Sequence, residues 1–450
     1  MKLRYFGTDG IRGTVGKHPI VAGFARDFAH AVDAFMQKRG LPKDHSVLIA
    51  RDTRASGEEL ASSLMSGFED AGRPVVWLGI VPTPFAARCL IERSGGMAVV
   101  LTASHNPASD NGFKLFASNG CKLDPEDEAE IEAFLDARME EPLHHRSGFS
   151  LPEVQTPDPV DFAKGWSGPR LDGMRIALDT ANGATAGFTP AVLRYLGATV
   201  FTSGDAPDGR NINEGVGSEF PDNVARLVKE HNCDLGFAHD GDGDRVIAVD
   251  HLGRVLSGEH FMGIVSTYCD GEKAGVEHPL VTTIQSNLGL DVYLEDALGA
   301  SVIRTDVGDR NVSIAMRDNG VWFGGENSGH YVFRRYLPTG DGLVALLKLI
   351  EAVRKSGRRL ADLVSLFRLF PSRMINLRLA DKIPLDQLSH LKAVQERWTS
   401  TLGGRGRLLV RYSGTEAKIR LLAECPDSEQ VERALAELSI AARKDLRVLE

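Results

Sequence analysis

The feature that most constrains how this chain can fold is a theme that restarts three times along it. Short apolar, β-branched runs at 47–50, 75–78 and 97–101 alternate with helical patterns. The theme returns near residue 175 (RIALDT, a glycine-bearing turn, a helical pattern at 191–196) and again near 279 (PLVTTI, SNLG, a helical pattern at 292–298). Strands alternating with helices at this spacing predict α/β layering, with sheets covered by helices. Within 21–38, Phe24, Phe28, Val32 and Phe35 fall at helical spacing, which predicts one apolar stripe packed on a sheet.

The chain has 450 residues, more than one compact core accommodates. A polar stretch at 140–159, containing Pro and His and lacking apolar periodicity, reads as a linker. A second shift comes at 370–372, after which strands at 374–379, 408–412 and 418–422 precede a helical run at 428–446. The expected fold is therefore α/β, with three similar mixed-sheet domains and a smaller C-terminal α+β domain. The domains are placed at 1–150, 155–255, 256–370 and 371–450. The acidic run at 124–132 reads as a solvated helix face.

No apolar run approaches the roughly 20 residues a membrane span needs, and the N-terminal MKLRYFGTDG lacks the apolar core of a secretory signal. The five cysteines are odd in number and none forms a C-x-x-C pair, which argues for a reducing cytoplasm. A formal charge of −9 offers no broad basic surface for nucleic acid. Any anionic ligand must be held by a local cluster of cations and backbone N–H groups. A small anion is the expected partner.

Five segments carry chemistry. DGDGDR at 240–245 places Asp240, Asp242 and Asp244 at i, i+2 and i+4, and three clustered carboxylates repel one another unless a cation lies between them. Hard oxygen ligands of this kind suit Mg²⁺. An EF-hand is excluded, because its Gly and Glu positions hold Arg245 and His251, and the following RVIAVD reads as a strand. TASHNP at 102–107 follows the apolar run 97–101, placing Ser104 and His105 at a strand end with Lys114 ten residues on. On spacing alone Ser104 is either a nucleophile or part of an ordinary turn, for no G-x-S-x-G elbow is present.

RYSGTE at 411–416 joins a cation, two hydroxyls and a flexible Gly, equipment for wrapping a phosphate. The same letters also fit a helix capping box from Ser413 to Glu416, although the alternation that follows suits a strand better. GGENSGH at 324–330 sets a carboxylate, an amide, a hydroxyl and an imidazole on a loop after an expected strand at 321–323, the mixture that sugar hydroxyls demand. GTDGIRG at 7–13 brings Arg12 on a glycine-rich loop.

Taken jointly and in this order, these motifs resemble the α-D-phosphohexomutase superfamily and, within it, the bacterial phosphoglucosamine mutases. RDTRASG at 51–57, LGIVPTP at 78–84, SNLGL and VGDR stand in the family's order as well, so the likeness spans the whole chain. The resemblance implies four domains around a central cleft, each lending one loop. It implies that Ser104 carries a phosphoryl group in the resting enzyme and that Asp240, Asp242 and Asp244 hold Mg²⁺ with an oxygen of that phosphate. Arg12, Lys114 and Arg245 would surround the transferring group. Lys114 would be the general acid/base, its pKa pushed down by Mg²⁺, Arg12 and Arg245, and His330 a lesser candidate. Glu326 and Ser328 would hold sugar hydroxyls, while Arg411, Ser413, Gly414, Thr415 and Arg420 would grip the non-reacting phosphate. The implied reaction interconverts glucosamine 6-phosphate and glucosamine 1-phosphate in the cytoplasm. Glucosamine or glucose 1,6-bisphosphate would be its intermediate and activator. A homodimer is one assembly open to it.

Three departures bear on this. Asn327 stands where the family commonly has Gln, Asn311 where Tyr is usual, and Ala417 where Pro is usual. The nearest rival is a phosphoglucomutase or phosphomannomutase. A phosphatase forming an aspartyl phosphate on Asp240 would leave TASHNP unexplained, and a non-catalytic sensor would be expected to have lost catalytic residues that are all present.

Overall fold

A computed structural model describes residues 3–7, 9–139, 150–269, 280–413 and 417–449. The chain forms two compact units, one built from Met1–Ile284 and Ile303–Val364, the other from Gln285–Val302 and Ser365–Glu450.

Three sheets lie in the larger unit, the last with an edge strand that begins at the boundary between the units. The first has six strands in the spatial order Phe6–Gly7, Gly10–Thr14, Asp110–Ala117, Met97–Leu101, Val47–Arg51, Val75–Ile80. Its three classical α/β strands, Val47–Arg51, Val75–Ile80 and Met97–Leu101, run parallel, and the others join antiparallel. The helix Ala22–Lys38 buries Phe24, Phe28, Val32 and Phe35 in its core, the stripe that the spacing predicts.

The second sheet runs Val246–Asp250, Leu235–His239, Arg175–Asp179, Thr199–Ser203. Its first two strands pair antiparallel, His239 opposite Val246, so residues 240–245 form the short loop between them. The third sheet orders Val302–Thr305, Leu280–Thr283, Phe323–Gly325, Tyr331–Phe333. The strand expected at 321–323 falls two residues later, so Gly324 and Gly325 are strand, paired with Val281 and Thr282, and not loop. Pro279 and the first half of the 140–159 linker, 140–149, lie outside the described residues.

The acidic run at 124–132 is not simply a solvated face. It lies on the helix Pro125–Met139, but Glu132 turns inward and accepts from the backbone N–H groups of Arg4 (2.8 Å), Tyr5 (2.6 Å) and Phe6 (2.8 Å). Glu128 is buried too, and takes both guanidinium arms of Arg310. A short amino-terminal strand has donors that need acceptors once buried, and a helix carboxylate supplies them.

In the smaller unit an all-antiparallel sheet, in the order Arg407–Tyr412, Lys418–Glu424, Ser372–Leu379, Val448–Leu449, packs against the helices Ser389–Leu402 and Ser428–Asp445. Asn287 caps the helix Leu288–Leu298 and pairs with both backbone groups of Phe370, accepting from its N–H at 2.8 Å and donating to its C=O at 2.9 Å. The buried Glu424 accepts from Leu288 N–H at 2.6 Å. No described helix is long and apolar enough to cross a membrane.

Candidate active site

Ser104 follows the strand Met97–Leu101 and adopts a left-handed backbone, φ 51°, which turns its buried side chain away from the strand direction. Its hydroxyl donates to Asp240 Oδ2 at 2.6 Å and lies 3.3 Å from His105 Nδ1. The unusual backbone is held from below. Arg54, fully buried and paired with Asp52 at 2.9 Å, donates to the carbonyls of Ser104 (3.1 Å), Asn106 (2.8 Å), Asp110 (2.8 Å) and Pro107. Asn213 Nδ2 donates to the Ser104 and Asn106 carbonyls, both at 2.9 Å.

Asp240, Asp242 and Asp244 lie on the loop between two antiparallel strands, all buried, with one carboxylate oxygen from each within 4.8 Å of the others. Thr83, the first residue of the helix Thr83–Glu92, holds this loop, its N–H donating to the Asp242 carbonyl at 2.9 Å and its hydroxyl to Asp242 Oδ2 at 2.7 Å. Gly241 permits the approach to Ser104: a Cβ there would stand 2.7 Å from the Ser104 carbonyl oxygen and 2.9 Å from Asn213 Nδ2. Burial, then Asp244 and Asp242, push the Asp240 carboxyl well above its ordinary pKa. Burial also opposes ionisation of Asp244, but Lys114 and His330 outweigh it and hold that carboxyl well below the usual range.

Asp242 Oδ1 and Asp244 Oδ1 are buried without a hydrogen-bond donor, the nearest imidazole nitrogen, His330 Nδ1, being 3.7 Å from Asp244 Oδ1. Two orphaned oxygens beside a third carboxylate that resists ionisation fit a hard divalent cation.

The strand Asp110–Ala117 brings Lys114 to the same point. Its ammonium meets Asp244 Oδ2 at 2.7 Å, Asp242 Oδ2 at 2.8 Å and Asp9 Oδ2 at 3.0 Å. The sequence leads one to expect a pKa lowered by Mg²⁺, Arg12 and Arg245; burial and Arg12 do lower it, but Asp242, Asp244 and Asp9 outweigh them and hold it well above the ordinary lysine value. The expectation overlooked Asp9 and treated the triad as ligands only. Arg12, in the strand Gly10–Thr14, is paired with Asp9, and Arg245 N–H donates to Asp240 Oδ1 at 3.1 Å.

His330 lies between Asp244 and Asp309, whose Oδ2 is 3.4 Å from its Nε2. Burial disfavours its charge, yet Asp244 and Asp309 raise its pKa. Lys122 bridges Asp9 and Asp309, closing a ring of alternating charge around the centre. Glu326 Oε1 accepts from Gly308 N–H at 3.0 Å, and Ser328 and Asn327 are exposed.

In the smaller unit Arg411 and Arg420 face each other across paired strands. The Nε of each is buried without a hydrogen-bond partner, and like charges directly opposite are unfavourable unless an anion joins them. Ser413 is buried, and Lys382 donates to its carbonyl at 2.7 Å. Gly414, Thr415 and Glu416 lie outside the described residues. Of the departures, Asn311 donates to the Val307 carbonyl at 3.1 Å and stays local, while Ala417 accepts from Leu379 N–H at 2.8 Å, a bond that its carbonyl alone makes.

Four domain models match in series: phosphoglucomutase/phosphomannomutase α/β/α domain I at 3–142, domain II at 160–253, domain III at 257–370 and the C-terminal domain at 374–441. The phosphoglucosamine mutase of Zymomonas mobilis is 41% identical, over 99% of this chain and 100% of its own. The chain belongs to the phosphoglucosamine mutase family. Another phosphoglucosamine mutase, from Lactococcus lactis, is also 41% identical, covering 95% of this chain and 96% of its own.

Solved structures agree on the fold. A phosphoglucomutase/phosphomannomutase family protein from Burkholderia thailandensis superposes with a TM-score of 0.79 at 22% identity, over 98% of each chain. The Aspergillus fumigatus N-acetylphosphoglucosamine mutase, solved with GlcNAc-6P and magnesium, gives 0.60 at 16% identity, over 99% of this chain and 96% of its own.

Against this phosphoglucosamine mutase framework, the structure brings Ser104, Lys114, Arg12, Arg245, His330 and the three aspartates to one place. Arg411, Ser413 and Arg420 come together in the other unit. Sequence reasoning assigned no part to Arg54, Thr83, Asn213, Asp9, Lys122 or Asp309. Four of these stood inside motifs already noticed, RDTRASG, LGIVPTP, GTDGIRG and VGDR, and that was the available signal.

Proposed function

We propose that the chain interconverts glucosamine 6-phosphate and glucosamine 1-phosphate through a phosphoserine at Ser104 and a bound sugar 1,6-bisphosphate. The observation that carries this reading is the Ser104 hydroxyl, buried and 2.6 Å from one member of a carboxylate triad in which Asp242 Oδ1 and Asp244 Oδ1 have no hydrogen-bond donor. We divide the chain at 1–150, 155–255, 256–370 and 371–450 into phosphoserine, metal, sugar and phosphate domains.

Asp240, Asp242 and Asp244 would hold Mg²⁺, together with a phosphoryl oxygen on Ser104. When bound, the ion offsets the charge that repels an incoming oxygen from a phosphoryl dianion. Arg12 and Arg245 add fixed positive charge. In the first half-reaction a sugar hydroxyl oxygen bonds to phosphorus as the bond from phosphorus to Ser104 Oγ breaks. Lys114, charged at the outset, gives a proton to Oγ and is recharged from the attacking hydroxyl, so no net proton leaves the site. His330 is the second candidate for this role. The bisphosphate then turns, Ser104 Oγ takes the other phosphoryl group, and the proton retraces its path.

Glu326 and Ser328 are assigned to the sugar hydroxyls and the 2-amino group. Arg411, Ser413, Gly414, Thr415 and Arg420 are assigned to the phosphate that is not reacting, because a dianion between two opposed guanidinium groups relieves their repulsion. We place the protein in the cytoplasm, since all five cysteines are free thiols.

The test of substrate is a coupled assay on one preparation with glucosamine, N-acetylglucosamine, glucose and mannose 6-phosphates. Glucosamine 6-phosphate should give the highest kcat/KM, by about tenfold or more over glucose 6-phosphate. A higher value for glucose or mannose phosphate would assign the chain to the phosphoglucomutase/phosphomannomutase activity instead. For the metal, Asp242→Asn should weaken Mg²⁺ binding about tenfold or more in calorimetry, with activity falling in step. Full wild-type turnover in excess chelator would remove Mg²⁺ from this account.

A further inference from the structure

A cavity of about 330 Å³ opens beside Lys122, and neither Ser104 nor any of the three aspartates lines it. That volume is in the range of small-molecule sites. One wall is the outer face of the helix Asp309–Asp318, another is the turn carrying Cys121 and Lys122, and the third follows the strand Tyr331–Phe333. Ile314, Met316, Val332 and Pro338 give it an apolar floor.

Its charge is lopsided. Lys122, Arg310, Arg317 and Arg334 line it against a single acid, Asp124, although the whole chain carries −9. Lys122, Arg310 and Arg317 have carboxylate partners. Arg334 has no ion-pair partner among the described residues, and Arg310 Nε is buried without a hydrogen-bond acceptor. An apolar floor beneath an unpaired guanidinium and an unsatisfied N–H is complementary to one kind of molecule: a compact anion with an apolar body. The sugar phosphates of the proposed reaction lack such a body.

We propose that this cavity is a second ligand site, for a small aromatic or aliphatic anion, separate from the phosphoryl-transfer centre. Cys121 gives a direct readout. It is half-buried in the cavity wall, whereas Cys89, Cys233, Cys269 and Cys425 are buried. Burial pushes the Cys89 thiol up to about 12 and the Cys233 thiol up to about 11. Burial raises the Cys121 thiol as well, so its selective alkylation rests on its access to solvent, which the four buried thiols lack.

The experiment uses the full chain with Mg²⁺ and iodoacetamide at pH 8, with modification of Cys121 followed by peptide mass spectrometry. The probe is naphthalene-2-sulfonate, and its neutral counterpart is 2-(hydroxymethyl)naphthalene. Alkylation should slow saturably, by about tenfold at a sulfonate concentration near ten Kd. The neutral compound should protect far less. Arg334→Glu and Arg317→Glu, both outside the catalytic machinery, should weaken protection about tenfold or more while leaving mutase turnover unchanged. Calorimetric titration of the same sulfonate into wild type and Arg334→Glu reads the same difference without relying on the thiol. The proposal is overturned if the sulfonate neither protects nor binds saturably, if the neutral compound protects equally, or if both variants behave as wild type.

Discussion

Ser104→Ala will leave a folded protein whose mutase turnover has dropped by at least about 10⁴-fold, because a methyl group cannot carry the phosphoryl between the two half-reactions. The fold should tolerate the change. Alanine fits the space, and the left-handed backbone at φ 51° is imposed by Arg54 and Asn213 acting on carbonyls, contacts that do not involve the side chain. What is lost structurally is the hydrogen bond to Asp240, worth about 0.5–1.5 kcal/mol, and the longer contact with His105. Intact-mass and peptide analysis of active wild-type protein should find a phosphate on Ser104 and none in the variant. Turnover above about one-hundredth of wild type, or a phosphate found only on Asp240, would sink the phosphoserine account and favour an aspartyl-phosphate hydrolase.

Arg54→Ala should cost about 3–5 kcal/mol of stability, the usual penalty for leaving one partner of a buried ion pair uncompensated. Asp52 is the stranded partner: burial already raises its pKa, and the Arg54 guanidinium is the foremost influence opposing that rise. Four carbonyls on the loop around Ser104 each lose a donor in the same substitution, those of Ser104 and Asn106 keeping only Asn213. Arg54→Lys should recover only part of the loss, since an ammonium cannot fork to Asp52 and four carbonyls at once. Denaturant unfolding measures the stability change, and Asp52→Asn/Arg54→Ala should be less destabilised than the sum of its single variants. A loss under about 1 kcal/mol would mean that the loop holds its shape without the guanidinium.

Patterns that depend on local spacing were the legible part of this sequence. The stripe Phe24, Phe28, Val32, Phe35 repeats at the helical period and is buried as a face. The aspartates of 240–245 stand out because three charges so close need a cation wherever the chain goes. Long-range pairing was not legible. Nothing local marks Glu132 as the acceptor for Arg4, Tyr5 and Phe6, more than 120 residues away, so the acidic run looked solvated. The direction of the Lys114 shift was missed for the same reason, since Asp242, Asp244 and Asp9 all reach its ammonium from distant parts of the chain and together outweigh burial and Arg12. Arg54 was hidden because, apart from Asp52, its partners are backbone carbonyls, which leave no trace in side-chain identity.

The Asn287 pairing has a consequence for dissecting this protein. The C-terminal unit is discontinuous, and its helix Leu288–Leu298 comes from a stretch that a cut at residue 371 would leave behind. A fragment starting there would strip the buried Glu424 of Leu288 and Asn287, the donors that satisfy it across some 136 positions of sequence. Grafting the C-terminal region of a relative onto this chain carries the same hazard, for the junction would pass through these bonds. A recombination that exchanges 285–302 together with 365–450 keeps donors and acceptors from one parent, and is the exchange that preserves the unit.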